Sequence, residues 1–156
     1  TFKKLKAHQD KNIIYSFHMY EPFQYTNKKL NGGKYSYPGK INGTFWNQNA
    51  LELYMHEVVQ FQKRNSIPSN RILVGEFGGY RMTKGLANYF KDLKEIFNRN
   101  GWHHAFYAFR EDTWDGMDYE LGIEKLPWSY WQAIKKGETP VVPRKQDTAT
   151  FLELVK

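Results

Sequence analysis

Cysteine is absent from the 156 residues, which excludes disulfides, thiol nucleophiles and cysteine-ligated metals. Compartment stays open, because secreted proteins also do without cysteine. No apolar run approaches the length of a membrane-spanning helix, and the opening TFKKLKAHQD has no apolar segment resembling a signal peptide. The chain reads as soluble, with room for a beginning upstream of Thr1. No G-x-S-x-G elbow, phosphate-binding glycine loop or Rossmann glycine pattern occurs, which argues against serine-type hydrolases and nucleotide enzymes. Acidic residues are the minority, 16 against 23 Lys and Arg, for a net charge of +7. The basic residues scatter over helix faces, as at Lys91, Lys94 and Arg99, and their densest group is Lys28, Lys29, Lys34 and Lys40 in a Gly-rich loop. A solvated exterior is the simpler reading. Interleaving of those lysines with Tyr35 and Tyr37 leaves a nucleic-acid-binding module as the minor alternative, one whose affinity would fall steeply with salt.

Aromatics, by contrast, are plentiful: 11 Tyr, 11 Phe and 5 Trp make 17% of the chain. That suits an aromatic core and also surfaces that stack on sugar rings. The length allows one core and is too short for two ordinary domains.

Three times a short apolar strand pattern is followed by a helical one, the rhythm of βα units in a parallel sheet. The first strand is NIIYSFHMY, Asn12 to Tyr20, followed by a long loop and a helix of about Asn49 to Arg64 with Leu51, Tyr54, Val58 and Phe61 as its stripe. The second is Ile72 to Phe77, with a helix from about Lys84 to Asn100 stopped by Gly101. The third is about Trp102 to Phe109, followed by an acidic loop and a helix from near Pro127 to before Gly137. Residues 1–137 read as the α/β part and 138–156 as a tail whose last short helix Asp147 is placed to cap. No Asn-Gly hairpin is expected between adjacent strands. Loops leaving the strands are long and rich in Gly, Tyr and Trp, whereas those entering them are short, so function is expected beyond the strand carboxyl ends.

Glu76 ends the apolar strand of ILVGEFGG, where a carboxylate is costly unless something uses or pairs it. Period-two alternation puts Ser16, His18 and Tyr20 on one face of the first strand, and Ile72, Val74 and Glu76 on one face of the second. Polar groups thus converge at neighbouring strand ends. After the third strand, AFYAFRED and TWDGMDYELG supply Phe109, Arg110, Glu111, Asp112, Trp114, Asp115, Asp118 and Glu120. Those acids have three readings: a Ca²⁺ site, although the D-x-D-x-D-G spacing is absent, salt bridges with Arg110 and Arg81, or polar walls for a hydroxyl-rich ligand. His103 and His104 point to opposite sides of a strand, so they do not ligate one metal; no catalytic metal and no cofactor are expected. Carboxylate chemistry remains.

The three strand ends SFHMY, ILVGEFGG and AFYAFREDTWDGMDYELG resemble, in order and spacing, the sixth to eighth strands of a glycoside hydrolase family 5 barrel. The resemblance implies the carboxyl-terminal βα units of a TIM (β/α)8 barrel, incomplete on their own, from a retaining glycosidase of the endo-β-1,4-glucanase or cellulase kind. It gives Glu76 the part of nucleophile and gives His18 and Tyr20 the part of hydrogen-bonding it and lining the cleavage subsite. Phe109 falls where the family places a Trp platform; Trp114, Trp46, Arg110 and Glu111 are candidate sugar contacts by position alone. The family's general acid, a Glu in an Asn-Glu-Pro motif on the fourth strand, has no counterpart in this chain. The expected partners are therefore a β-glucan or β-mannan and either the upstream barrel half or a second copy covering an apolar inner face, with no nucleic acid and no membrane. A catalytically inactive carbohydrate-binding half-barrel is the alternative. An extracellular or periplasmic location is implied by the family only. Asn42-Gly43-Thr44 also fits a glycosylation acceptor.

Overall fold

The computed structural model describes residues 2–110 and 115–156. In chain order the elements are β1 (Tyr15–Met19), α1 (Phe23–Thr26), α2 (Lys28–Asn31), β2 (Gly39–Ile41), β3 (Thr44–Trp46), α3 (Gln48–Tyr54), α4 (His56–Asn65), β4 (Ile72–Phe77), α5 (Leu86–Asn100), β5 (His103–Phe106), α6 (Trp128–Lys135) and α7 (Ala149–Val155). β1, β4 and β5 form one parallel sheet in the order β1-β4-β5. Among the described residues no further strand joins either edge, so this is a segment of a barrel wall and no barrel closes.

One face of the sheet carries the core. Tyr15 meets Phe61 of α4 with ring centroids 4.9 Å apart, and Phe77 meets Phe90 and Phe97 of α5 at 5.7 and 5.3 Å. In α5 the residues Leu86, Tyr89, Phe90, Leu93, Ile96 and Phe97 recur three or four apart and all are buried, which is why this stretch is a helix lying on the sheet. The other face is bare. It presents Ser16, His18, His103 and Ala105 to solvent around a half-buried Leu73, so the inner face expected to be apolar is mostly polar and small side chains.

The strand carrying Glu76 departs from strict alternation, which corrects its expected placement. Moving from Phe17 to His18 on β1 crosses from Val74 to Glu76 on β4, and moving from His104 to Phe106 on β5 crosses from Val74 to Phe77. β4 therefore holds one extra residue, a bulge at Gly75 seen from both neighbours. Ile72, Val74 and Phe77 stay buried against the helices, while Glu76 leaves their face and pairs with exposed His18. Bulges bend a strand and re-aim a side chain. Gly75 suits the position because a Cβ there would lie 2.6 Å from Ser16 Oγ.

Four local features differ from expectation. The helix expected over Asn49 to Arg64 is two, α3 and α4, meeting at Met55 (φ −83°, ψ 0°). Met55 fills the core, while Tyr54 turns out to solvent with its ring 6.2 Å from that of Trp46. An Asn-Gly hairpin does exist: β2 and β3 pair antiparallel, and Asn42 and Gly43 at φ 46° and 88° make the two-residue turn whose twist fits such strands. Its arms are three residues each, too short for alternation to be read. β5 ends at Phe106 rather than Phe109. Finally, Thr148 rather than Asp147 caps α7, its Oγ1 accepting from the Phe151 amide at 3.3 Å. α7 rests on α5, where buried Lys94 donates to the Glu153 carbonyl at 2.5 Å.

Candidate active site

Glu76 is the meeting point of β1 and β4 at their carboxyl ends, where ligand sites of parallel α/β folds form. Tyr20, the residue after β1, donates its hydroxyl to Glu76 Oε2 at 2.9 Å. His18 Nδ1 lies 3.5 Å from that same oxygen. Both contacts fall on Oε2; among the described residues none falls on Oε1. One carboxylate oxygen is thus held and the other presented. The site is open, with the His18 and Glu76 side chains 55% and 39% exposed. Burial first, then the hydrogen bond to Glu76, push the Tyr20 hydroxyl well above the usual phenol range, so it remains a proton donor. Thr26 Oγ1 donates to the Tyr20 carbonyl at 2.6 Å and pins the chain as it leaves β1.

A tyrosine that the sequence reading passed over ties the neighbouring loops together. Tyr119 Oη donates to the Tyr107 carbonyl at 2.7 Å and accepts from the Gly79 amide at 3.1 Å, bridging the segments after β5 and β4. Burial raises its hydroxyl far above the ordinary value as well. Tyr107 and Tyr119 are both near enough to Tyr20 to help raise it. Its signal in the sequence is the pair of tyrosines, Tyr107 and Tyr119, that flanks the acidic loop.

Those acids serve mostly as structure. Arg81, 1% exposed, donates Nη2 to Asp115 Oδ2 at 2.7 Å and Nη1 to the Gly122 and Glu124 carbonyls, both at 2.6 Å. Buried Glu120 accepts from Arg110 Nε at 2.8 Å and from Gln146 at 2.9 Å. The Arg110 bond holds the Glu120 carboxyl below the usual range, whereas burial pushes Asp118 up against the pull of Arg144, 3.2 Å away. The expected salt bridges thus form between Arg81 and Asp115 and between Arg110 and Glu120, while Asp118 pairs instead with Arg144. Among the described residues no three acidic or His side chains converge on a point fit for a metal ion.

Of the sequence candidates, the structure brings Glu76, His18 and Tyr20 together. Phe109 is exposed, stacked under the guanidinium of its neighbour Arg110 at 4.8 Å, and Arg110 is turned to Glu120. Trp46 packs on Tyr54. Among the described residues no hydrogen bond, ion pair or ring contact joins these three to Glu76. Glu111 and Trp114 lie outside the described residues. Beside Tyr20 a cavity of about 760 Å³ is lined by Phe23, Thr26, Met117 and two lysines, Lys28 and Lys29.

The fold is similar to that of solved proteins. Among curated proteins none matches the chain. Among solved structures, an endoglucanase is 28% identical with a TM-score of 0.56, over 76% of this chain and 40% of its own. A hyperthermophilic endo-β-1,4-glucanase in complex with substrate is 27% identical with a TM-score of 0.58, over 74% and 39%. Thermotoga maritima Cel5A in complex with mannotriose is 25% identical with a TM-score of 0.53, over 74% and 37%. The chain thus spans about two fifths of the length of these relatives. The family model for cellulase, glycosyl hydrolase family 5, matches residues 2–113, and with the parallel sheet and its strand-end carboxylate this places the chain in glycoside hydrolase family 5.

Proposed function

We propose that this chain supplies the nucleophile of a retaining β-glycanase, with β-1,4-glucan as the substrate and β-mannan the next choice. The observation that carries the reading is the convergence of Tyr20 and His18 on one oxygen of Glu76. The free oxygen attacks the anomeric carbon while the Tyr20 hydroxyl keeps the other in place, and the carboxylate leaves again when water hydrolyses the glycosyl ester. A retaining enzyme needs a second carboxyl group about 5 Å away to protonate the leaving oxygen. Among the described residues the contacts of Glu76 are a phenol and an imidazole, and in this reading the acid is supplied by further barrel units or by a second copy. The endo-β-1,4-glucanase and mannotriose relatives support the choice of substrates. Action on such polymers favours an extracellular or periplasmic setting.

The open edges of β1 and β5 are where upstream strands or another copy would pair, since unpaired backbone there invites a further strand. Binding without hydrolysis is the second reading, favoured by the absence of a carboxyl partner at Glu76 among the described residues. Reducing-end release from soluble β-1,4-glucan, by the wild-type chain and by Glu76→Gln, decides between them. Hydrolysis lost in the variant upholds the nucleophile; hydrolysis that survives it overturns the proposal, and binding with no hydrolysis by either protein, even with the upstream units added, leaves the second reading.

A further inference from the structure

A second cavity, of about 690 Å³, shares the lining residue Lys28 with the first. Its walls combine two chemistries. Tyr80 and Trp131 are aromatic faces beside Leu126 and Met82, a surface suited to one side of a pyranose ring. Around them stand Lys28, Lys84 and Lys125. The Lys28 ammonium lies 4.9 Å from the centre of the Tyr80 ring, held over the aromatic face rather than drawn to a carboxylate. Asp115 is the one acidic residue lining this cavity among the described residues, and Arg81 neutralises it at 2.7 Å. Asn31, 2% exposed, is occupied by the Tyr25 carbonyl and the Tyr35 amide. Three lysines therefore line the cavity with no free anion among the described residues to answer them. The first cavity adds Lys29 and is lined by no acid among the described residues. A neutral glucan gives such lysines nothing but hydroxyls; a sugar carrying a carboxylate or phosphate completes them.

We propose that the Tyr80–Trp131 cavity binds an anionic unit of a glycan, a sugar ring bearing a carboxylate or phosphate, at a site reached along the cleft that begins at Tyr20. The proposal rests on the reading of that cleft as a glycan site, but not on Glu76 performing catalysis. The aromatic faces hold the ring and the lysines choose its charge.

The test is calorimetric binding of three cello-oligosaccharides of equal length, neutral, oxidised at C6 to the uronate, and phosphorylated at C6, to the folded chain in low and high salt. The uronate or the phosphate binds about tenfold more tightly than the neutral oligomer at low salt, and the gap closes at about 0.5 M salt as screening shortens the reach of the lysines. Whichever anionic arm is tighter names the substituent. Lys28→Gln with Lys125→Gln narrows the gap to about twofold without weakening the neutral oligomer, and Trp131→Ala weakens every oligomer about three- to tenfold. Glu76→Gln leaves the gap intact. Loss of glucan hydrolysis and loss of the anionic preference are thus separate results. Equal affinity for charged and neutral oligomers, no binding of any, or a preference unmoved by the two lysine substitutions and so due to the overall charge, overturns the proposal.

Discussion

Replacing Gly75 by Ala isolates the device that aims Glu76. The backbone at Gly75 is not in the left-handed region, so the substitution is opposed by space alone: the new Cβ would stand 2.6 Å from Ser16 Oγ, with the nearest His18 ring atoms at an ordinary 3.5 Å. Ser16 is one strand away on β1, and either its hydroxyl must rotate or the two strands must part. Overpacking a filled core costs about 1–3 kcal/mol, and because Ser16 stands on the exposed face the low end, about 1 kcal/mol, applies here. For a domain of this size that is a fall in Tm of about 2–4 °C, read by circular dichroism. Removing the obstacle should remove the cost. Gly75→Ala combined with Ser16→Gly is expected to recover most of the loss, so that the two substitutions couple rather than add. Wild-type stability in Gly75→Ala, or a double variant no better than the sum of the singles, would refute the account of the bulge.

The remaining predictions concern single contacts. Tyr20→Phe deletes the 2.9 Å bond to Glu76; a hydrogen bond to a charged group contributes about 1.5–3 kcal/mol, so turnover by the complete enzyme drops about 10- to 150-fold with folding unchanged, measured as kcat beside Tm. Arg81→Met strips the Asp115 carboxylate and three carbonyls, those of Asp115, Gly122 and Glu124, of their buried partner; breaking such a pair costs about 3–5 kcal/mol, and Arg81→Lys rescues little because one ammonium cannot span the same acceptors. Stability falls on acidification in two stages. His104, packed against Phe77 and Phe97, has its imidazole held below the usual value by burial, so its contribution is full above about pH 6.5 and is lost as pH drops through the lowered folded value. Glu120, held low by Arg110, adds a second loss below about pH 4.3, partly offset by Asp118, which is shifted the other way. His104→Phe is expected to flatten the melting temperature between about pH 5 and 7; an unchanged slope there counts against it.

Strand and helix order was legible because apolar spacing carries it: Ile72 to Phe77 is a strand, and the stripe of α5 is buried as its periodicity requires. Glu76, His18 and Tyr20 were legible as a set because each stands at a strand end. The face of Glu76 was not, since alternation assumes an unbroken register and one extra residue at Gly75 reverses it. The break at Met55 was hidden for a related reason: Leu51, Met55 and Val58 are spaced four and three apart, as helical as the stripe through Tyr54, and only packing chooses between them. The Arg81 pair with an acid of the loop was legible, but its carbonyl acceptors were not, and Tyr119 was not legible at all, because main-chain partners leave no mark in the side-chain pattern.

The central claim is that Glu76 is the attacking carboxylate, and covalent trapping tests it most directly. The dinitrophenolate of a 2-deoxy-2-fluoro-β-cellobioside departs without a proton, so the reaction does not require a general acid, and the fluorine slows hydrolysis of the ester that forms. The account predicts an adduct found by mass spectrometry on the peptide containing Glu76, absent in Glu76→Gln and slower to form in Tyr20→Phe. An adduct on another carboxylate, or none, would contradict it.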